Sequence, residues 1–156
     1  MKNKRGDGYI PACVMIVILC MLIAVFMTFA SAVNMIRISE RNSRIVLDSF
    51  VMKNSIEIYN SVKNGNDYTE FLDNSEYISE FSSYNSLDLS GNLLYSYGED
   101  GSELYRTTKP RIVFTQEKSL KIAAEYSITV PLYFAGVRVT EVTVPIKAVS
   151  KFNDKF

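Results

Sequence analysis

Side chains that could do chemistry are sparse in this 156-residue chain. It has no histidine, which removes the commonest general base and the commonest metal ligand together. Its two cysteines, Cys13 and Cys20, lie seven apart on one helical face within an apolar run, so the rest of the chain can form no disulfide of its own. Their expected role is lipid contact or packing, and neither has the small-residue lipobox of a lipoprotein cysteine. Glu70, Asp73, Glu76 and Glu80 follow at steps of three or four, and Glu99 and Asp100 sit in a glycine-flanked turn, residue types that cation sites use. Neither spacing matches a calcium loop, so a solvated helix face and a solvated turn are expected. No two carboxylates are spaced to converge as acid and base. The sequence points to no catalytic residue, no metal site and no cofactor, and the expectation is a protein that is not an enzyme.

The other candidate chemistry is cleavage of the chain itself. Ala30-Ser31-Ala32, after a basic leader and an apolar stretch, fits the small-x-small pattern of a secretory signal. The apolar stretch is longer than such signals use, however, and the helical period continues past Ala32. Tyr9 to Ile36 is twenty-eight residues without a charge. As a helix it reaches ~42 Å, against a hydrocarbon core of ~30 Å, so it can cross a bilayer once and still protrude. Pro11 suits the first turn, where its missing N–H would be unpaired anyway. The leader, residues 1–8, carries Lys2, Lys4 and Arg5 beside the free amine, while Arg37, Arg41 and Arg44 flank the other end. The tight cluster favours an inside N-terminus, which makes the expected location the cytoplasmic membrane with one pass and the C-terminal domain outside. Arg37, Arg41 and Arg44, with Glu40, then become interfacial or headgroup contacts. Ala24, Ala30, Ser31 and Ala32 are small enough to let helices approach closely.

Behind the span (9–36), residues 37–65 read as an amphipathic stalk. Ile45, Leu47, Val51, Met52, Ile56, Ile58, Tyr59 and Val62 share one arc, and Ser43, Ser49, Lys53, Asn54, Glu57, Asn60 and Ser61 the opposite one, with Val46, Asp48 and Phe50 breaking the pattern. One helix from about 11 to about 63 is expected, closed by Gly65. Residues 66–156 form the outer domain. Asp67-Tyr68-Thr69-Glu70 fits a capping box ahead of a short helix, or of two broken near Asn74-Ser75.

After Ser86 the period falls to two. Strands are expected at 87–89, 93–97, 103–108, 111–116 and 120–134, with turns at Ser90-Gly91-Asn92, Gly98–Gly101 and Ala135-Gly136. In the last hairpin strict pairing would set Val142 against Thr129 and split the apolar faces. One extra residue near Thr140-Glu141 restores agreement, so a β-bulge is expected there.

Without Lys2, Lys4, Arg5 and Asp7 the chain holds 14 basic and 16 acidic residues, which argues against a nucleic-acid partner. The periods give an α+β fold, a long N-terminal transmembrane and stalk helix on a small antiparallel sheet. Lys4-Arg5-Gly6-Asp7-Gly8-Tyr9-Ile10, a short basic leader ending in glycine and running directly into an apolar helix, resembles the type III signal of the TadE and TadF pseudopilins of the tight-adherence (Flp) pilus. It is most similar to a TadE-like family of small Gram-positive membrane proteins. The resemblance implies a pilin-like fold and processing between Gly6 and Asp7 by a prepilin-type peptidase. It also implies a structural role beside other pilin-like subunits and the pilus assembly platform. Such chains carry an acid at the fifth residue after the cut; here that position is Pro11, and Asp7 is the acid nearby. The competing expectation is a monomeric, membrane-tethered or secreted module that binds a ligand or the cell wall through Tyr84, Tyr95, Tyr97 and Tyr105.

Overall fold

The long apolar and amphipathic segments form one rod. In the computed structural model, which describes residues 9–65, 72–116 and 120–151, helix α1 runs from Tyr9 to Lys53. A second helix, α2, spans Ser55–Lys63, so the single helix expected to 63 is interrupted at Asn54. There the Asn54 side-chain amide donates to the Phe50 carbonyl at 2.9 Å, competing with its own backbone N–H at 3.2 Å for the same acceptor. Gly65 follows α2 at φ +69, the left-handed geometry for which glycine has no Cβ penalty.

The inward face of the rod differs from the expected arc. Ser39, Ser43, Val46, Leu47, Phe50, Val51, Ile58 and Ser61 are buried, whereas Ile45, Met52, Ile56 and Tyr59 face out. The cause is a pair of clasps. The Tyr126 hydroxyl donates to the Ser39 carbonyl at 3.0 Å and is hydrogen-bonded with Ser39 Oγ at 3.0 Å; Tyr77 meets the Ser43 carbonyl at 3.4 Å and Ser43 Oγ at 3.3 Å. Partnered hydroxyls bury cheaply, so the two serines turn inward and carry Val46 and Phe50 with them.

Helix α3 covers Asn74–Tyr84. The capping box at 67–70 lies outside the described residues; the cap of α3 is Asp73, whose carboxylate accepts from the Ser75 N–H at 2.8 Å. At the far end Leu87 N–H bonds Ser82 O and Ser86 N–H bonds Ser83 O, a Schellman close with Ser86 at φ 52. Ser86→Gly is therefore expected to stabilise the fold by about 0.5–1 kcal/mol, read as a higher urea midpoint at unchanged slope.

Six strands follow: β1 Asp88–Ser90, β2 Leu93–Tyr97, β3 Glu103–Thr108, β4 Arg111–Gln116, β5 Leu120–Phe134 and β6 Val137–Lys151. All pair antiparallel in one sheet, with β5 at its centre. β6 lines one edge of β5 along its length, so β4 and β3 share the other edge, meeting residues 120–125 and 128–129. Lys109-Pro110 is the corner between them, and the Ser127 N–H beside it bonds Thr108 Oγ1 at 2.9 Å instead of a ladder carbonyl.

The expected bulge is present. Phe134 pairs Val137 and Tyr133 pairs Arg138, then Leu132 pairs Thr140 and Val130 pairs Val142, so the extra residue is Val139, just before the expected site. The slip puts Ile128 opposite Val144 and Tyr126 opposite Ile146 on the face toward α1. Ile122, Ala124, Tyr126, Ile128 and Val130 pack there with Val46, Leu47 and Phe50, and α3 closes the end of the core with Tyr77 and Phe81.

Candidate functional site

The surface available for function is set by how α1 is divided. From Tyr9 to Phe29 its large apolar side chains are exposed; Leu22 and Phe26 are 62% and 73% accessible. Among the described residues this is the one helix long and apolar enough to cross a membrane, and none of its most apolar window is buried. From Ala32 onward the same helix lies under β5 and β6. The hydroxyl of Thr28, in the bare half, donates to the Ala24 carbonyl at 2.9 Å, which satisfies it without water.

The residues singled out by sequence divide accordingly. Ala24, Ala30 and Ser31 are exposed, but Ala32 is 3% accessible because its own sheet covers it, which leaves three small residues for a neighbouring helix. Cys13 and Cys20 are free thiols on the bare half. Arg37, Arg41 and Arg44 are exposed on the rod just past the apolar stretch, on one flank at helical spacing. Arg44 reaches Glu40 at 3.5 Å, an open i,i+4 pair worth little in water. Gly6 and Asp7 lie outside the described residues.

Glu70 lies outside the described residues, and the other three acids of the run have structural partners. Asp73 caps α3, and Glu76 and Glu80 hold Lys53 of α1 at 2.5 and 3.1 Å, which raises the lysine pKa mainly through the Glu76 bond. Asp100 accepts from the Ser102 N–H at 3.0 Å and from its hydroxyl, and its pKa is lowered by those bonds. Among the described residues no three metal-ligating side chains converge. The four tyrosines do not form one face: Tyr95 and Tyr97 stack at 6.0 Å, Tyr105 turns into the core, and Tyr84 sits apart on α3.

Two features were not anticipated from sequence. On the side of α1 and α2 away from the sheet, Ile38, Ile45, Met52 and Tyr59 recur every seven residues, with Ile56 beside them, all 41% to 75% accessible. The seven-residue spacing continues through the exposed Ser31 and Ala24, with Ser31 turned partly toward a cleft it shares with β3 and β5. That spacing is readable in the sequence, but Ile45, Met52, Ile56 and Tyr59 fall on the arc expected to face inward, and Ile38 lies before that arc begins. The other feature is the tip of the β5–β6 hairpin. It closes on α1 around a cleft of about 360 Å³ lined by Val25, Thr28 and Phe29 on one wall and Tyr133, Phe134 and Val139 on the other. Behind it Arg106 pairs with Glu103 and Glu141, each at 2.8 Å, and Arg138 pairs with Glu141 and, at 3.6 Å, with Glu103. The signal was the valine pair Val137 and Val139 standing out of phase at a turn.

Fold and surface together define the class: an α+β chain with a long N-terminal helix on a six-stranded antiparallel sheet, the pilin-like layout, with a candidate membrane span. No protein-family model, curated protein or solved structure matches the chain.

Proposed function

We propose that this chain is a membrane-anchored structural subunit, TadE-like in kind, which serves as a minor component of a tight-adherence-type pilus or related secretion apparatus. It is held in the cytoplasmic membrane by α1, N-terminus inside, and works by packing against other pilin-like subunits and the assembly platform instead of by catalysis. A prepilin-type peptidase hydrolysing the Gly6–Asp7 bond would leave the carboxylate on Gly6 and the new α-amine on Asp7 itself. The observation that carries this reading is the exposed heptad row Ile38, Ile45, Met52 and Tyr59, preceded at the same spacing by the exposed small residues Ala24 and Ser31. It offers small residues where helices cross in lipid and large apolar ones where they meet in water.

The test uses a Cys13→Ser, Cys20→Ser background. Ala24→Cys and Ile38→Cys chains are expected to crosslink to pilin-like partners in cells that make the complete apparatus, while Arg44→Cys, on the flank, crosslinks weakly. Monomer alone from both stripe positions would end the reading. Mass spectrometry of the membrane protein's N-terminus adds a second readout: a start at Asp7 supports processing, Met1 a plain anchor, and Val33 a secreted domain incompatible with helix assembly.

A further inference from the structure

The structure also bears on where the bilayer ends along α1. About 20 helical residues fill the hydrocarbon core, yet the uncharged run has twenty-eight. Lys2, Lys4 and Arg5 pin the inner end, so a count from Tyr9 puts the outer hydrocarbon boundary at about Thr28. The β5–β6 hairpin tip reaches α1 at that level, against Val25, Thr28 and Phe29.

We propose that this tip is a second membrane contact: Phe134, Val137 and Val139 seat in the outer boundary of the same bilayer that α1 crosses. The proposal rests on reading α1 as a membrane span.

The chemistry of the tip fits lipid. Val137 and Val139 are each 66% accessible and Phe134 37%, at a hairpin end where a water-facing turn would use asparagine, aspartate or serine. Ala135 holds φ 50 in that turn, a geometry asparagine or glycine adopts at less cost, so the apolar side chain is kept at some expense of strain. The bulge aims Val139 into the α1 cleft with Phe134. The charges nearest the tip are neutralised behind it: Glu103, Arg106, Arg138 and Glu141 pair among themselves, two acids with two bases. Tyr133, whose hydroxyl donates to the Glu103 carbonyl at 3.4 Å, lies between the two zones, a position aromatic residues favour at membrane interfaces. Lipid is the occupant because the patch is continuous with the bare apolar wall of the span and at its depth. A protein covering the tip would have to displace lipid from Val25 and Phe29 as well.

The chain has no tryptophan, so one introduced indole reports alone. Full-length Leu19→Trp, Val137→Trp, Val139→Trp and Asn92→Trp proteins would be reconstituted in phosphatidylcholine vesicles with brominated or ordinary acyl chains. Asn92, exposed in the β1–β2 turn at the other end of the sheet, is the water control. Bromolipid is expected to lower emission about twofold or more for Leu19→Trp and for both hairpin variants, and to leave Asn92→Trp unchanged. If Leu19→Trp is quenched while the hairpin variants behave like Asn92→Trp, the proposal fails and the span stands. If Leu19→Trp is also unquenched, the span reading fails and takes the proposal with it. Blue-shifted but unquenched hairpin emission would mean that a protein covers the tip, which overturns the proposal as well. Should tryptophan perturb the hairpin, Val137→Cys in the Cys13→Ser, Cys20→Ser background gives an independent readout. Its labelling by a water-soluble maleimide is expected to be about tenfold slower in vesicles than that of Asn92→Cys, and equal rates overturn the proposal.

Discussion

Phe81→Ala is expected to cost the folded sheet domain about 3–5 kcal/mol, a large share of the ~5–15 kcal/mol that holds a typical domain together. Phe81 is fully buried, with its ring 6.2 Å from Tyr77 and 5.2 Å from Tyr126. It joins α3 to the sheet and, through Tyr77, to Phe50 of α1 at 5.6 Å. Removing the ring leaves a cavity at the meeting point of three elements that are each anchored elsewhere, by Lys53, by the sheet ladder and by α1 itself. Collapse cannot fill it cheaply. Urea unfolding of the full chain in detergent, followed by tyrosine near-ultraviolet dichroism, should show the midpoint fall while the helix signal of the bare half persists. A loss under about 1.5 kcal/mol would show that α3 is peripheral to the core.

The second large effect is alkaline. Burial pushes the Tyr77 and Tyr126 hydroxyls up to about 12, opposed in each case by the serine clasp, and burial raises Tyr105 too. A raised native pKa means that the folded state holds its proton more tightly than the unfolded chain, whose tyrosines titrate near ~10. The stabilisation is therefore complete below pH ~10 and is lost as pH climbs to about 12, at ~1.4 kcal/mol per pH unit for each tyrosine. With two such groups the sheet domain is expected to lose on the order of 5 kcal/mol across that window. Stability measured at intervals from pH 8 to 12 should be flat and then fall, with tyrosinate absorbance rising in step with unfolding. The Tyr77→Phe, Tyr126→Phe double variant should be less stable at pH 8 and should lose much less above pH 10; an unchanged slope would contradict the burial assignment.

The sheet was legible because its residues alternate cleanly and its turns are marked. Leu120–Phe134 carries one apolar residue in two for its whole length, and glycines close the turns at 91, 101 and 136. Even the bulge could be read, since only one extra residue reconciles Val142, Val144 and Ile146 with their partners. The rod was legible in extent but not in phase. Serine counts as polar in any hydropathy pattern, and nothing near Ser39 or Ser43 in sequence announces tyrosines 87 and 34 residues away. Long-range hydroxyl pairs therefore rotated the buried face and exposed Ile45, Met52 and Ile56. For the same reason Ala32 was legible as small, but not as covered. The hairpin tip was hidden because its place beside Val25 and Phe29 depends on tertiary packing, whereas a hydropathy count locates only the helix.

One consequence of α1 concerns mechanics. Its hydrogen-bonded rod passes from the bare half into the clasped half without a break between Tyr9 and Lys53. A domain on a flexible tether swivels freely above its anchor; this one has no joint there. Twisting or tilting the sheet must twist or tilt the apolar half with it, so a pull or torque applied at either end is transmitted to the other as through a shaft.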